Sequence, residues 1–305
     1  MKNLYFLLFV ASLFMSCSDD NSLNFATGHP VHENTERIRH NNGSTRLIPN
    51  PELLQKVINA PGMAAERHLN FYPNGMLKNI TNAAGTILEY FTYSNGNLTS
   101  CYTGGATYTF TYDTNNRIAT VNGYPTTYDA ATGTYIFTFE VPDEEDLYDY
   151  QHRAEIAVNA EGYLLSKKNF FDLNNEYHYV AAVAYYQNGN LIGFGLNGGE
   201  TGGAYQFEDT PNPLKFAMAA ASRAMILISP GDRYGAPWMI SDYISDNNIS
   251  LNSYQLEDPE TSTNIYTYNS AGLPTVQTTQ NYYNGAPDGL PYTSRLYYYQ
   301  GDVIP

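Results

Sequence analysis

The sequence predicts a mainly β fold, in which an antiparallel meander of repeated hairpins curls into a barrel-like or half-barrel sheet. Three observations predict it: an excess of tyrosine, with 29 Tyr against 14 Phe, a recurring hairpin signature, and strands whose residues alternate between two faces. Tyr and Thr favour strands, whereas Asn and Gly favour the turns between them. One short N-terminal helix and one apolar helix, packed on or inside the sheet, complete the expected architecture.

The hairpin signature begins near residue 69. An aromatic strand leads into a tight turn with Asn or Gly where a positive φ is needed, and an aliphatic residue opens the second strand. The copies are Phe71–Leu77, Tyr93–Leu98, Tyr112–Ile118, Val158–Leu164, Tyr186–Leu191 and Tyr268–Leu273. The first three turns lie roughly 20 residues apart, which leaves two strands and two turns per repeat. The chain is therefore expected to run as a meander.

These copies resemble the tyrosine–aspartate (YD) repeats of Rhs-type shells, and more closely a family of uncharacterised Bacteroidetes lipoproteins whose domain is described as porin-like. Tyr112–Ile118 comes nearest to the YD signature, with Asn116 in place of the usual glycine. The resemblance covers residues 69–300 and includes the segment Pro211–Leu214. It implies a β domain, and it implies no activity.

Alternation along the strands predicts which side of the sheet is buried. Between Thr107 and Tyr112, aromatic residues at even positions alternate with threonines at odd positions, so that one face is aromatic and the other is polar. Tyr90 is expected near the same aromatic face. A membrane barrel would turn an apolar band outward on strands of about 9–11 residues. Short strands with a threonine face instead predict that the aromatic side points inward.

Two segments have helical patterns. Asn50-Pro51-Glu52 is typical of a helix start, and the apolar residues between Leu53 and Ile58 would form one face before Ala60-Pro61-Gly62 ends the helix. Residues 213–228 are apolar except for a narrow stripe formed by Lys215, Ser222 and Arg223. A helix so apolar belongs in a core, so we expect it inside the curl of the sheet. The alternative is that Ala224–Ile228 continues as a buried strand.

The N-terminal sequence predicts where in the cell the protein is located. A basic start is followed by the apolar run Leu4–Met15 and by Ser16-Cys17, an order that resembles the lipobox of bacterial lipoproteins. The resemblance implies that residues 1–16 are a signal peptide and that Cys17 carries acyl chains such as palmitate. Ser18-Asp19-Asp20 resembles the export tag of Bacteroidetes surface lipoproteins. The alternative is an ordinary secretory signal with an incidental cysteine.

The chain then divides into a tether at residues 17–48 and a YD-repeat-like domain at residues 49–305. The tether is polar and without periodicity, which is typical of a flexible linker. We expect an outer-membrane protein, anchored by its lipid and displayed at the cell surface. The formal net charge of −15 repels phosphate backbones, so nucleic acid is not an expected partner.

Acidic and histidine clusters do not predict a metal site. The carboxylates of Asp143–Asp149 lack the spacing of a known calcium loop, and we expect them to be solvated. His29, His32 and Glu33 lie in the tether without a second ligand pair for zinc. No metal and no cofactor are therefore expected.

The sequence leaves three classes of function open. Trp238 and Tyr234, with Tyr282 and Tyr283, could stack on sugar rings and predict a non-catalytic binding module for a glycan or another nutrient; Trp238 could instead be buried to close the sheet. A structural or partner-binding subunit of an outer-membrane assembly is the alternative. A carboxylate-dependent hydrolase is the third class, although no catalytic motif occurs.

Overall fold

A closed antiparallel barrel of 18 strands forms the body of the computed structural model. The structure describes residues 37–39, 45–47, 52–141, 150–170, 178–196, 200–228, 243–254 and 260–304. Outside the barrel, β1 (Arg37–Arg39) pairs with β2 (Thr45–Leu47). The predicted antiparallel meander is confirmed, and the sheet is closed because the last strand pairs with the first strand of the barrel.

The barrel strands follow one another in chain order. The first nine are β3 (Leu54–Asn59), β4 (Arg67–Phe71), β5 (Leu77–Asn82), β6 (Ile87–Ser94), β7 (Asn97–Thr103), β8 (Ala106–Tyr112), β9 (Ile118–Val121), β10 (Tyr124–Asp129) and β11 (Thr134–Val141). The next nine are β12 (Tyr150–Val158), β13 (Leu164–Phe170), β14 (His178–Gln187), β15 (Asn190–Leu196), β16 (Glu200–Pro211), β17 (Asn247–Tyr254), β18 (Glu260–Tyr268), β19 (Pro274–Tyr283) and β20 (Ala286–Tyr299). One helix, α1 (Pro213–Ile228), connects β16 to β17.

The predicted hairpin turns lie at one end of the barrel, which we call the turn end. Two of them are two-residue turns in which Asn95 and Asn188 have φ near 50° and a glycine follows, as hairpins of this type require. In a longer turn, the Asp113 carboxylate accepts hydrogen bonds from the backbone N–H groups of Asn115 and Arg117, at 2.8 and 2.9 Å. Asn159 and Asn269 are the equivalent acceptors in their own turns.

Tyrosine hydroxyl groups link each hairpin to the next at the turn end. Tyr93 donates to the Leu77 carbonyl, Tyr186 to the Leu164 carbonyl and Tyr299 to the Pro274 carbonyl, each at 2.9 Å. Each acceptor is the first residue of its strand. Burial raises the pKa of Tyr186 and Tyr299, so these hydroxyls remain protonated and can donate at any physiological pH.

The backbone ladder stops before it reaches these carbonyls. Between β5 and β6 the pairing ends at Asn79, and between β13 and β14 it ends at Ser166. Between β19 and β20 it ends at Val276. In each case the carbonyl bound by tyrosine lies two residues closer to the turn end, where the backbone pairs no longer continue. The hydroxyl therefore satisfies a buried carbonyl that would otherwise lack a donor.

The interior is a continuous apolar core. Leu69, Ile80, Phe91, Phe110 and Ile156 are all buried within it. On β8, the threonines at positions 107, 109 and 111 are exposed on the outer face, so the predicted two-faced strand is confirmed.

The prediction that Tyr90 lies near the aromatic inner face is wrong. Tyr90 is 44% exposed, whereas its neighbours Glu89 and Phe91 are buried. Along β6 the alternation gives the inward positions to residues 89, 91 and 93, because Phe91 fills the core between Ile80 and Cys101. Tyr90 is thereby placed on the outside of the barrel.

Helix α1 lies inside the curl of the sheet, as predicted, and it packs at the turn end of the barrel. Leu214, Ala217, Ala221 and Leu227 belong to the barrel core, and the helix contacts β3, β7 and β9. Asn212 caps its start, because the Asn212 Oδ1 atom accepts the Leu214 N–H at 3.0 Å. The alternative of a buried strand in its last turn is wrong, since the helix continues to Ile228. No helix in the described ranges is long and apolar enough to cross a membrane.

The predicted N-terminal helix is wrong, because residues 54–59 form strand β3. This strand closes the barrel by pairing with β20 and β4. A bulge explains the misleading pattern: Tyr299 pairs with Leu54 while Tyr298 pairs with Lys56, so Gln55 is an extra residue. Leu54 and Val57 are consequently both buried, at a spacing that imitates a helix.

Replacing Phe110 by alanine tests the closed core. Phe110 is 4% exposed, so Phe110→Ala should reduce the free energy of unfolding by about 3–5 kcal/mol. Thr109→Ala, on the outer face of the same strand, is the control and should cost less than about 1 kcal/mol. Denaturant unfolding measures both, and equal small losses would contradict the two-faced barrel wall.

Candidate functional site

Most residues singled out in the sequence lie outside the described residues. These are Cys17, Ser18, Asp19, Asp20, Tyr234 and Trp238, together with the acidic segment 143–149 and the tether histidines. Tyr282 and Tyr283 are described, at the end of β19, where Tyr283 is 42% exposed and Tyr282 is half-buried. Their role in ligand binding stays a prediction. In the described ranges, no cluster of three His, Cys, Asp or Glu residues could hold a metal ion.

A groove of about 570 Å³ lies on the outer face of β3–β6. We call it the outer groove. Its polar lining consists of Gln55, Lys56, His68, Asn70, Lys78, Asn79 and Thr81, and Phe71, Gly85, Ile87 and Ile304 complete it. The groove is wide open to solvent, so a ligand would lie along the surface of the sheet.

Strand register brings the polar side chains of the groove together. Lys56 on β3 pairs with Asn70 on β4, which pairs with Asn79 on β5. Directly paired residues on one face of a sheet have side chains in contact. The tight turn between β4 and β5, with Gly75 at φ 86°, sets this register.

The two amides in the groove are fixed by a mutual hydrogen bond. Asn70 Nδ2 donates to Asn79 Oδ1 at 2.9 Å, and it also lies 3.3 Å from the His68 carbonyl. Among the described residues, Asn70 Oδ1 and Asn79 Nδ2 take part in no further bond. One acceptor and one donor therefore remain for a ligand that carries hydroxyl groups.

Two lysines give the groove a positive charge in an acidic protein. Within the described part of the chain, neither Lys56 nor Lys78 forms a salt bridge. Lys215, on α1, shows the contrast, because its ammonium lies 2.8 Å from Glu161 and 2.7 Å from Asp246. The Lys78 ammonium lies 5.8 Å from the centre of the Tyr72 ring. The groove thus contains two ammonium groups that an anion could contact.

Glu66 orders the rim of the groove beside His68. Its carboxylate accepts the Gly62 N–H at 2.5 Å and lies 2.6 Å from His68 Nε2. The Gly62 hydrogen bond, followed by that of His68, lowers the pKa of Glu66. The charge of Lys56 lowers the pKa of Glu66 further, by a smaller amount.

A second polar cluster lies inside the barrel and has a structural role. Gln277 donates to Asn264 at 3.0 Å and accepts from Tyr297 at 3.1 Å. Arg295 donates to Asn59 at 3.1 Å, across the seam where β20 meets β3. Because these buried groups bond to one another, they stabilise the closure of the barrel.

Sequence reasoning missed the groove residues. Lys56 was assigned to a helix, and Asn70 and Asn79 have no motif that marks them. The available signal was the turn at Pro73-Asn74-Gly75, since a hairpin turn sets the register of the strands on either side. Counting outward from it places Asn70 opposite Lys78, and a bulge at Lys78, which the turn does not predict, shifts the partner of Asn70 to Asn79.

No protein-family model matches the chain, and no curated protein matches it. The chain is similar to two solved structures of porin-like proteins. The protein from Bacteroides uniformis is 15% identical, with 83% of this chain and 99% of that chain covered and a TM-score of 0.33. The protein from Bacteroides vulgatus is 13% identical, with 82% and 99% covered and a TM-score of 0.34. Likeness at this level carries no argument about function.

Glu66→Gln tests the electrostatics of the rim. Because the pKa of Glu66 is lowered in the folded protein, ionised Glu66 stabilises the fold above its unfolded pKa, and this contribution disappears as the pH falls through the folded value. Glu66→Gln should therefore be less stable than the wild type at pH 7, and the difference should shrink as the pH falls below about 4.3, the ordinary pKa of Glu, towards the lower folded value. Thermal unfolding across this range measures the difference. Asp209→Asn, at an exposed position, is the control, and a Glu66→Gln difference independent of pH would contradict the assignment.

Proposed function

We propose that the protein is a lipid-anchored surface binding module that holds an anionic, hydroxyl-rich ligand, such as an acidic sugar, in the outer groove. The observation that carries the proposal is that two lysines, which form no salt bridge in the described ranges, line the same open groove of about 570 Å³ as two amides that are fixed by a mutual hydrogen bond. No cofactor is required for this role.

The chemistry of the groove suits an acidic sugar. Lys56 and Lys78 provide ammonium groups for a carboxylate, and charge-assisted hydrogen bonds are stronger than neutral ones. Asn70 and Asn79 provide an acceptor and a donor for ring hydroxyls, and Thr81 adds a hydroxyl of its own. A neutral sugar would use only the amide and hydroxyl contacts, so the lysines favour the acid.

The proposed cellular location rests on the N-terminal sequence. Acylation of Cys17 after removal of residues 1–16 would anchor the chain in a membrane, and Asp19 with Asp20 would direct it to the outer face of the outer membrane. The barrel would then face the medium at the end of the tether. Such a position suits a module that captures nutrients outside the cell.

Contact with a protein partner is a second candidate function, favoured by the hairpin between β19 and β20. Leu290 is 86% exposed and Tyr283 is 42% exposed, and residues 283–291 are all exposed. The part of β20 before Arg295 pairs with β19 and not with β3. Exposed apolar side chains beside an open strand edge are typical of a surface that contacts another protein.

Removal of the two lysines tests the proposed ligand site. The double variant Lys56→Ala/Lys78→Ala should bind the galacturonate disaccharide at least about tenfold more weakly, a loss of about 1.4 kcal/mol, because its carboxylates lose their partners. Isothermal titration calorimetry measures the affinity, with lactose as the neutral reference.

Lys168→Ala is the matched control, because Lys168 lies on β13, away from the groove. It should bind the disaccharide as the wild type does. Equal affinity for lactose and the galacturonate disaccharide, or unchanged binding by the double variant, would contradict the proposal.

Anchoring is tested by replacing the proposed lipidation residue. Cys17→Ala should leave the membrane fraction and lose palmitate label, because each buried CH₂ of an acyl chain contributes about 0.8 kcal/mol to membrane binding. An Asp19→Ala/Asp20→Ala variant should keep its label and become resistant to protease added to intact cells. Membrane retention of Cys17→Ala, with no label in the wild type, would contradict the lipid anchor.

A further inference from the structure

The outer groove continues into a row of side chains that crosses five strands. Lys56 on β3 pairs with Asn70, Asn70 with Asn79, Asn79 with Tyr90 on β6, and Tyr90 with Tyr102 on β7. Directly paired residues point to the same face. The charged and amide half of the row lies in the groove, and the aromatic half lies beyond its edge.

The length of this row exceeds what a single sugar needs. Neighbouring strands lie about 4.8 Å apart, so the four steps from Lys56 to Tyr102 span about 19 Å. The row runs across the strands, perpendicular to their direction. A ligand that touched both ends would have to be an extended chain.

The aromatic half of the row is a pair of stacked rings, of which Tyr90 is exposed and Tyr102 is half-buried. Tyr90 is 44% exposed, and its ring lies parallel to that of Tyr102, with centres 5.5 Å apart and planes 10° apart. Thr92 and Thr107, which pair with Ser100 and Tyr102 on the same wall, add hydroxyls around it. Tyr rings combine an apolar face with a polar tip, as the faces and edges of sugar rings require.

The two tyrosines also have a structural role, since a cross-strand aromatic pair contributes roughly 0.2–1 kcal/mol to sheet stability. A pair with only this role could be buried. It would also not need to lie next to a groove that contains two lysines. Neither Tyr90 nor Tyr102 belongs to the barrel core. The two tyrosines thus lie where a ligand leaving the groove would pass.

We infer that the outer groove and the Tyr90–Tyr102 platform form one binding track for an acidic oligosaccharide, which lies across β3–β7. A carboxylate binds at Lys56 and Lys78, and a sugar ring further along the chain packs on the tyrosines. The inference rests on the proposed function and adds that the ligand is a polymer rather than a single sugar acid.

The test measures affinity as a function of chain length. Galacturonate oligomers from two to six residues are titrated into the full chain by calorimetry. The wild type should bind the hexamer at least about tenfold more tightly than the dimer, because only the longer chain reaches the platform. Tyr102→Ala should remove this gain and leave dimer binding unchanged, whereas Tyr102→Phe should retain it.

Tyr185→Ala is the matched control, because Tyr185 is 47% exposed on β14, far along the barrel wall. Thermal unfolding of each variant checks that it is folded. If Tyr102→Ala is unfolded, Tyr90→Ala takes its place in the same comparison.

Each outcome separates this inference from the proposed function. Lysine-dependent binding that does not change with length, or a length gain that survives Tyr102→Ala, would overturn the track and leave the groove proposal intact. Equal binding of a linear polyphosphate would overturn the sugar platform, because polyphosphate has charge without rings. No binding of any galacturonate oligomer would overturn both.

Discussion

The hydrogen bonds from tyrosine hydroxyls to strand-opening carbonyls are the interaction on which this barrel depends. Without them, each place where the backbone ladder stops short would leave a buried carbonyl unsatisfied, at a cost of about 1–3 kcal/mol. Tyrosine is suited to the task, because its ring fills the widening gap between strands and its hydroxyl reaches the far carbonyl. The repetition of this contact from Tyr93 to Tyr299 accounts for part of the tyrosine excess.

The backbone ladder stops early at the end of the barrel where helix α1 packs. At this end the buried face of α1 joins the core against which Tyr93, Tyr186 and Tyr299 pack. Polar contacts then fix the helix to the hairpins, as Lys215 does with Glu161 and Asp246. Gly189 permits the close approach, since a side chain there would lie 1.7 Å from the Asp246 carboxylate.

Polar groups on the inside and on the outside of the barrel differ in their partners. The inner polar groups around Gln277 and Arg295 bond to one another, so they serve the closure of the sheet. On the outside, Lys56 and Lys78 form no salt bridge among the described residues. Their ammonium groups are therefore the positive charges on this part of the wall that a ligand could contact.

Local patterns in the sequence predicted the hairpins, the two-faced β8 and the helix at residues 213–228, because turn residues and periodicity act over a few positions. They failed at β3, where the bulge at Gln55 gives a strand the spacing of a helix. They also failed at Tyr90, since aromatic character alone does not show which face a residue occupies. The groove could not be predicted, because it depends on the register of β3–β6. The closure of the barrel could not be predicted either, because it depends on the pairing of β20 with β3, and these strands are distant in sequence.

Adjacent tyrosines allow the central claim to be tested most directly. Tyr186 points inward and donates to the Leu164 carbonyl, whereas its neighbour Tyr185 is 47% exposed. Denaturant unfolding of Tyr186→Phe should show a loss of about 1–2 kcal/mol, because the ring stays and only the hydroxyl is removed, while Tyr185→Phe should stay within about 0.5 kcal/mol of the wild type. If both variants are as stable as the wild type, the hydroxyl–carbonyl bonds do not hold the barrel together.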